Sequence, residues 1–541
     1  MLLIYPPSAR SSEPPLGIAR LAGFLRSHGL EARCIDLCQE GIEYILDLEA
    51  TAGDTWTRGA LRRRELAAKT LRDINSYGSP QRYGRAVGDL NRSMRAASRG
   101  ANAEASLADY REFERSPLLK DDLVDSAQDC RSNVFFPLFE SRVGPELEAL
   151  RDGIVGISIC YLSQALCAFA IVGYIKATMP DLRIILGGGL VTSWVAGGSI
   201  ALSETFGGLV DRVLPGPGEE GLRDLFGMGR EHGPAAPDFD DFVGLGYFAP
   251  ARIVPYNFSS GCPWKRCSFC PERAEDMPYR GIPAPAVEAE IDYLADRYRP
   301  GLFHFTDNEI SPLYLRTLAE RHPGAYWYGF ARFSRRLLDP AFCESLAASG
   351  CVMLQLGLES GDQGVLDALG KGTRIEEIAI ILDNLAAASI CAYLYVLFGT
   401  PAEDRRAAMR TRDFIAERSG EIGFLNVALF NLPASGPEAR ELETRAFYEG
   451  DLSLYREFRH PTGWDRAKVR EFLSRDFETT REIREIMKRT PPVFTSNHAP
   501  FFLESKLSPP EEIRAHFSVE SSAQRLANRA SAASWPGSTV V

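Results

Sequence analysis

No run of apolar residues in this 541-residue chain approaches the ~20 needed to cross a bilayer. Its first residues, Met1-Leu2-Leu3-Ile4-Tyr5-Pro6-Pro7, lack the basic start and long apolar stretch of a secretory signal. Positive charge is in deficit, with 61 Lys+Arg against 72 Asp+Glu for a net −11. That balance argues against a surface given over to nucleic acid, although a local basic patch stays open. The expectation is a cytoplasmic protein with no membrane span. Wholesale disorder is excluded, because 45% hydrophobic and 25% charged residues are ordinary for a globular chain. At about 150 residues per domain, the length allows roughly three domains.

In a reducing compartment the 11 cysteines read as thiols or metal ligands, not as a disulfide framework. Eight are scattered: Cys34, Cys38, Cys130, Cys160, Cys167, Cys343, Cys351 and Cys391. Most sit in apolar strings such as Gly156-Ile157-Ser158-Ile159-Cys160, where cysteine behaves as a small buried hydrophobe. Cys262, Cys267 and Cys270 differ in kind, since all three fall within nine positions.

Alternating apolar runs and helical periodicities place a doubly wound α/β domain over residues 1–235. Strands are expected at 2–5, 33–36, 154–159, 183–186 and 212–214. Helices are expected over 15–28, near 163–178 and near 198–206. An insertion at about 50–145 is polar, helix-prone and basic, with 11 Lys+Arg against 3 Asp+Glu between Trp56 and Ala103. A solvated helical face explains it; so does an acidic partner such as an electron-donor protein or a peptide substrate. Residues 236–250 read as a linker. Over 251–435 six strand–helix repeats of about 30 residues predict a partial (β/α)6 barrel of the TIM type, with its active site at the strand C-termini. A mainly helical region at 436–517 and a frayed tail at 518–541 complete the expected layout.

The cysteines belong to Tyr256-Asn257-Phe258-Ser259-Ser260-Gly261-Cys262-Pro263-Trp264-Lys265-Arg266-Cys267-Ser268-Phe269-Cys270, directly after the first barrel strand. A closed zinc site takes four Cys or His ligands, and the next candidate, His304, lies on another strand. Three thiolates on one tight loop suit an iron–sulfur cubane with one iron left for a substrate or cosubstrate.

A cysteine loop at a barrel's first strand, with an aromatic residue before the last cysteine, resembles the radical S-adenosylmethionine (SAM) enzymes. The spacing departs from the commonest family pattern by one residue, four rather than three between the first two cysteines. Phe305-Thr306-Asp307-Asn308-Glu309, Gly357-Leu358-Glu359-Ser360-Gly361 and Leu397-Phe398-Gly399-Thr400-Pro401, with Glu403 beyond, end successive strands as in that family. The resemblance covers roughly 250–435. It implies a [4Fe-4S] cluster on Cys262, Cys267 and Cys270, and SAM contacts from Phe269, Asp307, Glu359 and Gly399. Tyr328, Arg332, Gln355, Tyr395 and Asn426 are either pocket lining or barrel filling.

The amino-terminal half resembles the cobalamin-binding domain that precedes many such barrels. The matching residues are Pro15, Leu16 and Gly17; Ser158; Gly187, Gly188 and Gly189; and Gly216, Gly218 and Glu219. Glycines there let the backbone approach a large corrin, which a Cβ would block. The Asp-x-His-x-x-Gly motif that supplies a cobalt ligand elsewhere is missing, and His28 stands without the Asp. The resemblance therefore implies base-off cobalamin with no protein histidine on its lower face. It further implies an electron donor such as flavodoxin or ferredoxin and a small-molecule or peptide substrate. The expected activity is methyl transfer from SAM through methylcobalamin to an unactivated carbon or phosphinate. Cyclisation, ring rearrangement or oxidation without net methylation is the alternative, and an inactive corrinoid-binding or sensing protein is a second one.

Overall fold

Two parallel sheets fed by alternating helices organise the chain, and the computed structural model describes residues 1–150, 153–228 and 235–503. The first sheet contains β1 (Leu2–Tyr5), β2 (Arg33–Asp36), β3 (Ile154–Ser158), β4 (Arg183–Gly187) and β5 (Arg212–Leu214). Their spatial order is β2-β1-β3-β4-β5, every neighbouring pair parallel. Leu2, Leu3, Ile4, Val155 and Ile157 are all buried, as expected of strands covered on both faces. The winding direction reverses between β1 and β3, so a ligand crevice is expected at the carboxyl ends of those two strands.

Local chemistry sets the helix boundaries. α1 (Leu16–Ser27) stops before Gly29, which takes φ +73°. α2 (Leu37–Asp47) is capped by the last residue of β2, Asp36, whose carboxylate accepts from the amides of Cys38 and Gln39. In the insertion, Asp54 caps α3 (Thr55–Leu71), and Ser79 with Pro80 opens α4 (Pro80–Ser98). A short hairpin, Ala103–Ala105 with Tyr110–Glu112, and α5 (Lys120–Gln128) follow. Arg58, Arg62, Arg63, Lys69, Arg82, Arg85, Arg92, Arg95 and Arg99 are exposed on α3, α4 and the turn beyond, while Tyr83, Val87, Leu90 and Met94 bury the other face of α4. α5 lies so close to α6 (Ala165–Thr178) that a Cβ on Gly173 would fall 1.8 Å from the Ala127 carbonyl oxygen.

One helix lies elsewhere than the periodicity placed it. Instead of 198–206, α7 spans Gly189–Ala196, and Gly197-Gly198 ends it, the latter at φ +72°. The apolar stretch that drives it, Leu190-Val191…Trp194, directly follows β4. α8 (Gly218–Leu225) then leaves β5.

Residues 236–250 do not hang between domains. Asp238 and Asp241 pair with Arg26 of α1 at 2.8 and 2.6 Å, and Phe239, Phe242 and Phe248 are buried. The strap runs so close to α1 that a Cβ on Gly23 would sit 2.0 Å from the Ala236 carbonyl oxygen.

The second sheet is the partial barrel. β6 (Ile253–Tyr256), β7 (Leu302–Phe305), β8 (Tyr326–Ala331), β9 (Cys351–Glu359), β10 (Cys391–Phe398) and β11 (Ile422–Leu429) lie side by side in chain order, all parallel. Between them run α9 (Ala284–Tyr298), α10 (Pro312–Glu320), α11 (Pro340–Ala348), α12 (Ile375–Ala387) and α13 (Arg405–Glu417). Beyond β11 the expected helical region is only partly so. Leu432–Pro433, Tyr455–Phe458 and Thr444–Ala446 form an antiparallel sheet whose strands, two to four residues long, are too short to show an alternation. The helices α14 (Arg466–Phe472) and α15 (Arg481–Arg489) come after it. The end of the expected helical region beyond 503, and the expected frayed tail at 518–541, lie outside the described residues.

Candidate active site

Three half-buried cysteines, Cys262, Cys267 and Cys270, occupy the loop that leaves the C-terminal end of β6. An antiparallel pair, Ser259–Ser260 with Arg280–Gly281, closes the loop at its base. Asp307, at the end of β7, fixes the loop's entrance: one oxygen accepts from the Phe258 amide (2.8 Å), the other from the Ser259 hydroxyl (2.6 Å). Burial pushes its carboxyl up to about 6 against those bonds. On the other side, Arg20 of α1 donates to the side-chain and backbone oxygens of Asn257 at 3.1 and 3.2 Å.

Trp264 secures the four-residue spacer between the first two cysteines. Its indole N–H donates to the Gly370 carbonyl (3.0 Å), Arg332 lies 3.7 Å from the ring centroid, and Lys265 absorbs the turn at φ +48°. Arg332 also donates to the Lys371 carbonyl. Cys262 sits 3.8 Å from the carboxylate of buried Glu309. Burial raises the Cys267 thiol while Lys371 and Arg332 pull it down, and burial pushes Cys270 up to about 11 against the backbone N–H of Glu272.

Glu359, at the end of β9, is buried with φ +61° and pairs with buried Lys371 at 2.8 Å. The approach depends on Gly357, where a Cβ would lie 2.3 Å from the Glu359 carboxylate and 2.5 Å from the Lys371 ammonium. Phe269 is half-buried beside Val365, Leu369 and Ala407. Gly399, at φ +83° after β10, donates its N–H to the buried carboxylate of Glu403 (2.5 Å), which also takes the Trp464 indole N–H (2.9 Å). Asp307, Glu359 and Gly399 thus all stand at the strand ends that carry the cysteine loop. His304 is held apart by Glu13, its Nδ1 lying 2.8 and 3.0 Å from the two carboxylate oxygens.

The residues matched to a cobalamin domain line the carboxyl edge of the first sheet. Pro15 precedes α1, and Leu16 and Gly17 open it; a Cβ on Gly17 would lie 4.0 Å from the Ser158 hydroxyl, at the point where the winding reverses. Gly187 ends β4, and Gly188 at φ +99° approaches Ile159 so closely that a Cβ would meet its carbonyl oxygen at 2.5 Å. Gly189 opens α7, Gly218 opens α8, Glu219 follows, and Gly216 turns at φ +73° against Met277. This edge faces the barrel. Ser193 donates to Glu275 (2.5 Å), Arg280 pairs with Glu220, and a cavity of about 590 Å³ lies between Leu214–Pro217 and Ser260, Met277, Pro278 and Arg280.

Both cofactor readings pass a test of fit. Cys262, Cys267 and Cys270 stand half-buried on one loop, and among the described residues no fourth Cys or His joins them to complete a closed zinc site. A cubane takes one thiolate per iron and needs only three cysteines sharing a rim. At the sheet edge, Gly216 provides left-handed, side-chain-free backbone lining the cavity, while left-handed Gly188 packs against the Ile159 backbone.

Residues 256–415, from the end of β6 into α13, match the profile of the Radical SAM superfamily. This stretch is a radical SAM domain. Two curated proteins share sequence with the chain. A bacteriochlorophyllide d C-12(1)-methyltransferase of Chlorobaculum tepidum is 28% identical over 176 residues, 31% of this chain and 38% of that protein. An anaerobic magnesium-protoporphyrin IX monomethyl ester cyclase of Rubrivivax gelatinosus is 29% identical over 143 residues, 25% of this chain and 26% of that protein. The chain thus spans well under half the length of either relative. Among solved structures, the radical SAM methyltransferase TsrM from Kitasatospora setae, with cobalamin and a [4Fe-4S] cluster bound, aligns over 82% of this chain and 77% of its own at 16% identity, TM-score 0.49. The cobalamin-dependent radical enzyme OxsB aligns over 95% and 61% at 13% identity, TM-score 0.48. Within the radical SAM domain, order and spacing disclosed the cysteines and strand-end acids; Trp264 and Lys371 gave no such signal, because each acts through a loop contact distant in sequence.

Proposed function

We propose that the chain is a cobalamin-dependent radical SAM enzyme, and that it transfers a methyl group from SAM, by way of methylcobalamin, to an unactivated carbon or phosphinate. The observation that carries this reading is the cysteine triad on the rim of a radical SAM domain, with the glycine-rich edge of a Rossmann-like sheet held against the same barrel. When bound, the cluster with SAM supplies a hydrogen-abstracting radical and the corrin supplies the methyl group. Cys262, Cys267 and Cys270 would hold the cluster, with Asp307, Arg20 and Trp264 fixing the loop's shape. Each Asp307 oxygen accepts one hydrogen bond from the loop and keeps further lone-pair capacity, with which Asp307 would also contact SAM. Glu359 and Lys371 present a carboxylate and an ammonium of the kind that hold the amino and carboxylate ends of an amino acid, Phe269 would pack near the adenine, and Gly399 lets the backbone come close. Glycines 187–189, 216 and 218, with Pro15–Gly17 and Ser158, would cradle base-off cobalamin, with no histidine supplied to its lower face. The electron would come from a donor such as flavodoxin or ferredoxin.

The test is anaerobic reconstitution with iron, sulfide and hydroxocobalamin, followed by incubation with SAM under a strong reductant. Uptake of both cofactors and release of 5′-deoxyadenosine are expected; with substrate, S-adenosylhomocysteine appears alongside it. Zinc in place of iron and sulfide, or SAM left intact by the loaded protein, would overturn the reading. Deoxyadenosine without S-adenosylhomocysteine during turnover would retain the radical enzyme and remove the methyl transfer.

A further inference from the structure

One buried side chain reaches from the helices of the first sheet into the loop that carries the three cysteines. Arg20 lies on α1, three residues beyond Gly17, and is 9% exposed. Its Nε donates to the side-chain oxygen of Asn257 at 3.1 Å, Nη2 to the Asn257 carbonyl at 3.2 Å and Nη1 to the Ala235 carbonyl at 3.3 Å. Asn257 passes the contact on, its Nδ2 donating to the Ser259 carbonyl at 2.9 Å, on the same residue whose hydroxyl Asp307 holds.

The same guanidinium also meets the barrel. Nη1 lies 3.5 Å from a carboxylate oxygen of Glu290 on α9, itself 6% exposed, and the Tyr256 ring centroid is 5.2 Å away. Neither Glu290 oxygen makes a hydrogen bond among the described residues, and neither does the buried Tyr256 hydroxyl. Burial raises the Glu290 carboxyl, the Arg20 charge lowers it, and Glu219 at the start of α8 raises it again. Elements of both halves thus converge on one polar junction whose bonding is incomplete. Buried polar groups ordinarily find partners, and a small inward settling of α1 would supply them here. The other links beside the loop are weaker. Arg280 and Glu220 pair in solvent, where an ion pair contributes little, and Ser193 gives Glu275 a single bond. Arg20 makes three charge-assisted bonds out of water.

We infer that Arg20 is a positioning residue that couples the two cofactor sites, so that a corrin at the α1 edge tightens the cysteine loop on its cluster, and the reverse. The inference rests on the cluster and cobalamin assignments above and adds a thermodynamic link between them. Such a link is reciprocal: each occupant must change the affinity of the other by one factor.

The full chain is titrated anaerobically with hydroxocobalamin before and after reconstitution with iron and sulfide, and iron loss to a chelator is timed with and without hydroxocobalamin. Cluster-loaded protein should bind hydroxocobalamin about tenfold more tightly than cluster-free protein, and hydroxocobalamin should slow iron loss. Arg20→Met is made together with Glu290→Gln, since a lone buried carboxylate would endanger the fold. In that double variant cobalamin should still bind and the cluster should bind more weakly, with no difference left between cluster-loaded and cluster-free affinities for cobalamin. Arg20→Lys keeps the charge without the fork of donors and should retain part of the difference. A merely structural role would weaken both titrations and leave their ratio at the parental value; that result overturns the inference, as does a parent whose two affinities are equal. If the double variant fails to fold or to hold iron, the parental ratio in Arg20→Lys overturns it and a reduced ratio supports it. A parent that takes up neither iron nor cobalamin sinks the enzymatic reading itself, whereas uptake of both without coupling sinks only this inference.

Discussion

Gly372 turns at φ +67°, and a methyl group there would fall 2.4 Å from the Trp264 ring. Gly372→Ala therefore adds both backbone strain, of order 1–3 kcal/mol, and a collision with the group that pins the cysteine loop. The expected result is a folded protein that loses iron faster after anaerobic reconstitution; iron retention equal to the parent would show that Trp264 does not hold the loop. Replacing Cys262, Cys267 and Cys270 together by Ala should abolish iron binding and the cluster's ~400 nm absorbance outright, because the cluster depends on thiolate ligands. Glu403 offers a test of burial. One of its oxygens serves Gly399 and Trp464, the other is buried without a partner, and desolvation pushes the carboxyl from its ordinary 4.5 to about 7. The folded chain keeps this proton to higher pH than the unfolded one, so the stability it confers is complete below 4.5 and drains away as pH rises to about 7. Glu403→Gln, which keeps an acceptor and cannot ionise, should gain in melting temperature over the parent across that window and hold a constant lead above it. A lead that does not change with pH would show that Glu403 titrates normally.

At the scale of elements, the barrel was legible because its repeats alternate cleanly: six parallel strands, from Ile253–Tyr256 to Ile422–Leu429, stand within 251–435 where six repeats are predicted. The first sheet was legible for the same reason, down to the glycine-bearing turns after β4 and β5. What sequence could not reveal were contacts between distant segments. The Leu432–Phe458 sheet pairs strands of two to four residues, too short to show an alternation, and α7 ends where a glycine doublet outweighs the apolar run. Pro237 to Pro250 has the composition of a linker, yet acid–arginine pairs and buried phenylalanines make it a strap across α1. Gly23 distinguishes strap from linker. In an exposed helix Gly→Ala stabilises by roughly 1 kcal/mol, but here the added Cβ would meet the Ala236 carbonyl at 2.0 Å. Gly23→Ala should lower the melting temperature; a rise would mean that residues 236–250 lie free of α1.

Domains joined by a linker are expected to unfold independently unless a large apolar interface couples them. This molecule has that interface. One continuous core runs from Ile157 and Phe169 of the first sheet and α6, through Tyr83 and Leu90 of the insertion, to Tyr328, Tyr393 and Phe424 of the barrel and Phe494 and Phe501 near the end of the described chain. His498 ties the ends together, its Nδ1 shared between the hydroxyls of Tyr77 and Tyr83 while burial pushes its ring down to about 3, so it stays neutral across the physiological range. The same coupling holds the glycine-bearing edge of the first sheet against the cysteine rim, which a two-cofactor site requires and a free hinge would defeat. The expected outcome is a single cooperative transition: hydrogen exchange through a urea series should give one midpoint for peptides spanning 154–187 and 351–398. A fragment beginning at residue 251 would leave Tyr328, Tyr393 and Phe424 without their partners from the first half and should aggregate. Two separated midpoints, or a soluble and well-folded barrel fragment, would show that the halves are independent and that their juxtaposition needs the cofactors to enforce it.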